Sequence, residues 1–283
     1  MRRGSELGRA VGVFRDLLAV KNIPRCGSVV LERERSELAR ITITSAAKRN
    51  ALCGHSLLDL AAAVLDLEAR PEDTRALILQ GHGETFCAGL DFRTAVSLDT
   101  QEEGLAMFDV ASRTLDLLRD LPLVSVAAIE GAAVGGGAEL ATCCDWRVMR
   151  SEAKVQFVQT RMGISPGWGG ARRLSDIVGR RWALRLLARG EAVQGDEALS
   201  IGLADRVCEG SESAPEAALD LLQPLLDAPF GSAIRAVKQA VTGSDLSRPA
   251  EDRERTAFAS VWASADNKAA LRAQLDKRTA VRT

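Results

Sequence analysis

The stretch at residues 123–147, LVSVAAIEGAAVGGGAELATCCDWR, constrains the fold of this chain more than any other. It starts as an apolar, β-branched run, passes three consecutive glycines at 135–137, and continues with helical character through AELATCC. A buried strand that enters a helix through a glycine-rich turn points unpaired backbone N–H groups at one place. The stretch therefore predicts an anion-binding turn with Glu139 beside it. Close helix packing with simple capping by Glu139 is the alternative interpretation.

A second glycine-containing turn follows another strand-like run. Residues 81–92, GHGETFCAGLDF, come directly after the apolar run at 75–80, and their small residues present the amide of Leu90. Two separate turns that offer backbone donors are what an oxyanion hole requires when a carbonyl becomes an enolate.

Composition excludes several classes of function. The net charge is −1 and the pI is near 6.2, so the whole chain offers no electrostatic case for nucleic acid or an anionic membrane. No apolar run reaches the roughly 18 residues of a membrane span. The basic pairs at 172–173 and 180–181 are expected to lie in solvent or at subunit contacts.

The inventory of reactive side chains is small. The six cysteines include no C-x-x-C pair and no zinc-site spacing, which predicts no metal site and reduced thiols in a reducing compartment. There is no tyrosine, and the two histidines are His55 and His82. Neither histidine stands out as a catalyst, so carboxylates are the main candidates for acid and base chemistry.

The chain divides into three predicted parts. Residues 1–27 form an arginine-rich extension, either a short helix or a mitochondrial presequence, residues 28–210 form a core, and residues 211–283 are mainly helical. Alternation at 28–34 and 38–44 predicts a hairpin with one solvated face. A cytosolic location is expected, with the mitochondrion as the alternative.

These two turns, together with VQFVQTRMGISPGWGGARRL at 155–174, resemble the crotonase (enoyl-CoA hydratase/isomerase) superfamily. The resemblance runs from about residue 28 to the C-terminus. It implies an α/β fold, a spiral of ββα units with a C-terminal helical trimerisation region, and a homotrimer or homohexamer. It also implies an acyl-CoA substrate with no separate cofactor, since coenzyme A is part of the substrate.

The resemblance assigns roles to individual positions. Leu90 and Gly136 match the two amides that hold the thioester oxygen, and Glu139 matches the first of the two glutamates of hydratases. Gln159 stands where the second glutamate is expected, and a neutral amide cannot take a proton from water. The implied substrate-binding residues are Lys48, Arg49, Ala51, Ala88, Asp91, Phe92, Gly135 and Trp168. Lys48 and Arg49 are candidates for the CoA phosphates, with a solvated basic turn as the alternative.

The missing glutamate and the run around Trp168 resemble the branch of this family that decarboxylates malonyl-type thioesters such as ethylmalonyl-CoA and methylmalonyl-CoA. In that hypothesis Glu139 protonates the carbanion and Gln159 holds the substrate carboxylate. An enoyl-CoA hydratase or a double-bond isomerase is the alternative within the family. A non-catalytic acyl-CoA-binding or RNA-binding homologue is the alternative of another class, and the lack of a basic, aromatic-interleaved face argues against RNA.

Overall fold

Two β-sheets carry the turns predicted above. The computed structural model describes residues 2–71, 74–228, 231–242, 255, 258–259 and 262–280. The larger sheet has the strand order β1-β2-β3-β4-β6-β9, and the smaller sheet has the order β5-β7-β8. The strands are β1 Ser28–Arg33, β2 Leu38–Thr44, β3 Ala76–Gly81, β4 Val124–Ile129, β5 Ala132–Val134, β6 Trp146–Arg150, β7 Lys154–Gln156, β8 Ala192–Gln194 and β9 Arg206–Cys208.

The centre of the larger sheet is parallel and buried. β3 and β4 are apolar on both faces, as expected for strands that are covered by helices on both sides. Their register pairs Ile78 with Val126 and Gln80 with Ala128. Because parallel strands end at the same edge, the turns that follow β3 and β4 lie next to each other. The predicted hairpin is confirmed as the antiparallel pair β1 and β2.

Helices cover both faces of this sheet. Their bounds are α1 Arg2–Val20, α2 Gly54–Ala69, α3 Phe92–Ser97, α4 Gln101–Asp120, α5 Gly136–Ala141, α6 Gly170–Arg189, α7 Gly195–Ser200, α8 Ala214–Leu226, α9 Gly231–Thr242 and α10 Ala265–Ala280. The α/β fold class is confirmed. The sequence predicts two helices within the range of α6, at 171–178 and 182–188, and α6 does consist of two helical segments that meet at a kink at Gly179, whose φ is 73° and ψ is 158°.

The N-terminal segment forms the predicted helix and joins the main core. α1 packs on α4 and α2, and the side chains of Leu7, Phe14 and Leu18 are buried there. On the opposite face of the sheet, α8 packs its Ala217 and Leu222 against β3, β4 and β6. Within the residues that the structure describes, no helix is long and apolar enough to cross a bilayer.

The described part of the C-terminal region packs on its own chain. Trp262 is buried and donates from Nε1 to the Leu98 carbonyl at 3.2 Å, and Asn267 Nδ2 donates to the Met162 carbonyl at 2.9 Å. Within the region predicted to be mainly helical, residues 229–230, 243–254, 256–257, 260–261 and 281–283 lie outside the described residues. Trimerisation through this region stays a prediction. Sequence analysis missed β5, β8 and β9, whose three residues each are too few for a periodic pattern.

Candidate active site

The turns after β3 and β4 converge on each other. Cys87 N donates to the Ala132 carbonyl at 3.1 Å, and Val134 N donates to the Cys87 carbonyl at 2.9 Å. Gly89 has a φ of 88°, and a Cβ at this position would lie 2.6 Å from the Val134 oxygen and 3.0 Å from the Gly136 nitrogen. The backbone approaches so closely here that only glycine fits.

Two amides at this junction are available to a ligand. Leu90 and Gly136 are both half-buried, and neither of their N–H groups donates to another residue in the described parts of the chain. Gly135, with a φ of 57°, turns the chain into α5, while its own N–H is taken by the Gln156 carbonyl at 2.8 Å. The structure therefore brings the two predicted donors to one place.

The segment at 49–52 holds the Leu90 turn in position. Leu52 N donates to the Gly89 carbonyl at 2.8 Å, and its own carbonyl accepts from Asp91 N at 2.8 Å. Ala88 N donates to the Arg49 carbonyl at 3.0 Å. These bonds fix both sides of the Leu90 amide.

Asn50 anchors this segment, and sequence analysis did not single it out. The residue is buried, with a φ of 56° that asparagine tolerates better than most residues. Its Oδ1 accepts from Ser45 N at 3.0 Å, and its Nδ2 donates to the carbonyls of His82 and Thr85 at 2.9 and 2.7 Å. One side chain thus ties the segment at 45–50 to the loop at 82–85.

Asn50→Ala is expected to lower the free energy of unfolding by about 2–4 kcal/mol, because one buried backbone amide and two partly buried carbonyls lose their partner. It should also raise the KM for the acyl-CoA thioester that the family resemblance implies as substrate, since the segment that holds Leu90 is released. Thermal unfolding and steady-state kinetics measure both effects. Asn22→Ala is the matched control, because Asn22 has a similar φ of 50° and is exposed. Equal destabilisation by the two variants would contradict the anchoring role.

The predicted phosphate ligands occupy different environments. Lys48 Nζ lies 2.7 Å from Asp91 Oδ2 in an ion pair, whereas Arg49 is exposed. Asp91 also caps α3, accepting from the amides of Arg93 and Thr94. Asp91 therefore has a structural role in this chain, and its contact with substrate stays a prediction.

The remaining predicted substrate-binding residues surround the Leu90 turn or the glycine turn. Ala51 is buried, and Ala88 and Phe92 are half-buried.

Glu139 is buried and saturated with hydrogen bonds. The residue is 2 % exposed. Its Oε1 accepts from Gln159 Nε2 at 2.7 Å and from Gly167 N at 3.2 Å. Its Oε2 accepts from Trp168 N at 2.8 Å and from Gly170 N at 2.9 Å. The carboxylate therefore organises the turn that starts α6, in addition to any role toward a ligand.

Two opposing effects determine the pKa of Glu139. Burial raises the pKa of Glu139 above its ordinary value, because a low-dielectric environment disfavours the charged form. Hydrogen bonds from Trp168 and Gln159 and the charge of Arg173 oppose that rise in the pKa. Burial dominates, which favours a carboxyl group that can carry a proton.

Gln159 contacts Glu139 directly, a contact that the sequence did not predict. Its Nε2 donates to Glu139, while its buried Oε1 has no hydrogen-bond partner in the described part of the chain. One amide hydrogen is thus committed to Glu139. The predicted contact with a substrate carboxylate can use only the second hydrogen of Nε2.

Trp168 connects the glycine turn at 135–137 to Glu139. A Cβ at Gly136 would lie 2.5 Å from the Trp168 ring, so the indole packs directly on the Gly136 backbone. The Trp168 amide binds Glu139, and its carbonyl accepts from Arg173 Nη2. This one residue therefore sets the position of Gly136 relative to the carboxylate.

Arg173 corrects the expectation that the basic pair at 172–173 is solvated or intersubunit. Its side chain is 0 % exposed, and it donates from Nε to Thr142 Oγ1 at 3.2 Å and from Nη1 to Asp116 Oδ1 at 3.0 Å. Arg172 binds the same Asp116 oxygen at 2.6 Å. No spacing in the sequence signals this network, because Asp116 comes from a distant helix.

The family of the chain follows from comparison with known proteins. A family model described as enoyl-CoA hydratase/isomerase matches residues 33–281. The chain belongs to the enoyl-CoA hydratase/isomerase family. This crotonase-family chain is 39% identical over 249 residues to a Xenopus laevis protein named ethylmalonyl-CoA decarboxylase. The aligned region covers 87% of this chain and 82% of that protein. A Danio rerio protein of the same name is 39% identical over 271 residues, 93% of this chain and 88% of that protein.

The fold comparison agrees with this family. The crystal structure of an enoyl-CoA hydratase/isomerase from Mycobacterium paratuberculosis superposes with a TM-score of 0.78 at 19% identity, covering 86% of this chain and 97% of that one. The crotonase fold predicted from the three motifs is confirmed. Among the described residues, no cluster of His, Cys, Asp or Glu is arranged to hold a metal ion.

Proposed function

We propose that this crotonase-family chain decarboxylates ethylmalonyl-CoA, with methylmalonyl-CoA as a second substrate. The observation that carries the proposal is the pairing of one buried carboxylate, Glu139, with the neutral amide of Gln159 beside two unpaired backbone amides. The names of the Xenopus laevis and Danio rerio relatives support the same reaction.

The site suits a reaction whose first step needs no base. When a malonyl thioester loses CO2, the electron pair of the breaking C–C bond moves into the thioester carbonyl and forms an enolate. In this proposal the amides of Leu90 and Gly136 stabilise that oxygen as it becomes negative, and this stabilisation is stronger in the transition state than in the ground state. A second carboxylate would add like-charge repulsion with the substrate and supply nothing to this step.

The remaining step is delivery of one proton to the α-carbon. Glu139 is the candidate acid, because burial raises its pKa and an incoming substrate carboxylate would raise that pKa further. To donate its proton to the α-carbon, Glu139 must give up one of the hydrogen bonds that it accepts. The longest of these is the 3.2 Å bond from Gly167 N. The amide of Gln159 keeps the carboxyl group oriented during this exchange.

A panel of CoA thioesters tests the proposal. We expect CO2 release from ethylmalonyl-CoA to be fastest, slower release from methylmalonyl-CoA, and little hydration of crotonyl-CoA by its absorbance. Rapid hydration or double-bond isomerisation without CO2 release would overturn the proposal. Isomerisation is the second candidate, because a single carboxylate such as Glu139 is sufficient for it. Homotrimeric or homohexameric assembly and a cytosolic location stay predictions.

Gln159→Glu is expected to lower the decarboxylation rate at least tenfold and to introduce slight hydration of crotonyl-CoA. The variant places a second carboxylate against Glu139, where it repels the substrate carboxylate but supplies the second acid–base group. Gln156→Glu is the matched control, because Gln156 lies on β7 and bonds to the Gly190 carbonyl instead. Unchanged decarboxylation in Gln159→Glu would show that this amide does not act on the substrate.

A further inference from the structure

Two cysteines from separate segments meet beside the segment that holds the Leu90 turn. Cys26 lies in the connection between α1 and β1, and Cys53 precedes α2. The Cys26 amide donates to Cys53 Sγ at 3.2 Å, and the two thiols lie close enough to shift each other's pKa in opposite directions. Cys26 Sγ lies 3.6 Å from the Ala51 carbonyl. The catalytic proposal uses neither sulfur.

The contact is fixed by the backbone around Cys26. Ser45 Oγ donates to the Cys26 carbonyl at 2.7 Å, and a side chain at Gly27 would collide with the Thr44 carbonyl and Ser45. Arg25 forms an ion pair with Asp59 of α2. The segment that carries Cys26 is therefore held against the segment that carries Cys53, which keeps the sulfurs together.

The surroundings of Cys53 favour its thiolate. It occupies the N-cap position of α2, where the helix dipole favours negative charge. The hydrogen bond from Cys26 and the contact with Ser56 Oγ at 3.4 Å lower the pKa of Cys53. By contrast, burial raises the pKa of Cys87 to about 12. Cys53 is buried, so a peroxide reaches its sulfur past the partly exposed Cys26. Cys53 is the nucleophile of the pair because its surroundings favour the thiolate, and Cys26 is its resolving partner.

We propose that Cys26 and Cys53 form a reversible disulfide when a peroxide oxidises the protein, and that this bond slows acyl-CoA turnover. The Cys53 thiolate attacks the peroxide, the O–O bond breaks, and a sulfenic acid forms on Cys53 while one oxygen leaves as water or alcohol. The Cys26 sulfur then displaces the sulfenic oxygen as water, which forms the S–S bond. Both sulfurs are oxidised by one electron each, and the peroxide is reduced.

The effect on turnover follows from the position of Leu52. An S–S bond is only about 2.0 Å long, so the two thiols must move closer before they are joined. Leu52 directly precedes Cys53 and bonds to both Gly89 and Asp91, on either side of Leu90. A displacement of Leu52 therefore also moves the Leu90 amide, which lies between these two hydrogen bonds. This part of the inference rests on the proposed function, whereas formation of the disulfide does not.

Treatment of the full chain with hydrogen peroxide, followed by mass spectrometry without reduction, tests the bond itself. We expect a Cys26–Cys53 linked peptide, the loss of two free thiols, and full recovery with dithiothreitol. Cys26→Ser should abolish the linked peptide, whereas Cys208→Ser should retain it, because Cys208 lies on β9 with its sulfur bonded to the Met149 carbonyl and does not contact the pair. An absent linkage, or one joining Cys143 and Cys144 instead, would overturn the proposal.

The same samples test the effect on turnover. CO2 release from ethylmalonyl-CoA should fall at least fivefold in the oxidised wild type and in Cys208→Ser, and should hold steady in peroxide-treated Cys26→Ser. Unchanged turnover in a sample that mass spectrometry shows to be linked would refute the coupling to Leu90. A wild type without activity on any thioester would contradict the proposed function and leave the mass-spectrometric result to decide the disulfide.

Discussion

Gly89→Ala is expected to lower the rate of CO2 release from ethylmalonyl-CoA by about 10²–10³-fold, the usual cost of losing one oxyanion donor. The added methyl group would lie against the Val134 carbonyl and 3.0 Å from the Gly136 nitrogen. It therefore obstructs the Gly136 amide and pushes apart the turns that carry the two donors. Steady-state kinetics measure the loss, which should appear mainly in kcat because the donors act on the transition state.

Gly83→Ala separates this local effect from backbone strain. Gly83 has a φ of 70°, close to the 88° of Gly89, but a methyl group at position 83 meets no atom of the described structure within 4 Å. Both variants should lose roughly 1 kcal/mol from the unfavourable dihedral angle. In addition to this loss of stability, Gly89→Ala should lose catalytic activity, whereas Gly83→Ala should keep it. Comparable activity in the two variants would refute the role given to the Gly89 turn.

Glu139→Gln is expected to lower CO2 release by at least 10²-fold and to destabilise the fold. The amide nitrogen of the new side chain would face backbone donors that now bind the carboxylate, and each buried donor without a partner costs about 1–3 kcal/mol. The resulting loss of 2–4 kcal/mol would lower Tm by about 5–15 °C. Calorimetry and kinetics on the same sample measure both effects.

The pH dependence distinguishes an acid from a purely structural Glu139. Because burial raises the pKa of Glu139, the proton-carrying form persists to higher pH than for an exposed glutamate. Wild-type kcat/KM should therefore fall as pH rises through this raised pKa, and the falling limb should be absent from the residual activity of Glu139→Gln. The stability that Glu139 contributes is fully present below about pH 4.5 and is lost as pH rises through the folded-state pKa.

Glu130→Gln is the control for this variant. Glu130 also accepts from the first amide of a helix, Ala214 N at 2.6 Å, but it lies outside the site. Glu130→Gln should show a smaller fall in Tm than Glu139→Gln, and its pH profile of kcat/KM should match that of the wild type. A pH profile of Glu139→Gln that matches the wild type would show that water, not Glu139, delivers the proton.

The turns at 81–92 and 135–137 could be predicted because their sequence signals are local. Each turn has an apolar, strand-like run directly before it and glycines within it, and both features can be read from neighbouring residues in the sequence. The two turns were therefore predicted from the sequence, and the parallel register of β3 and β4 explains why they lie side by side. The pairing of the Leu90 amide with the Gly136 amide came from the resemblance to crotonases.

The supports of the site could not be predicted, because they join distant segments through side chains. Asn50 reaches the loop at 82–85, Trp168 packs on Gly136, and Arg173 reaches Asp116 on α4. None of these contacts follows from helical or strand periodicity. The basic pair at 172–173 was predicted to lie in solvent or at subunit contacts for this reason, since a buried arginine is recognised only once its carboxylate partner is placed.

The most direct test of the account is an experimental structure of the chain with butyryl-CoA, the expected product. The account predicts that the thioester oxygen lies about 3 Å from both the Leu90 nitrogen and the Gly136 nitrogen, with the acyl α-carbon facing Glu139. A thioester oxygen bonded to neither amide, or to only one of them, would contradict it.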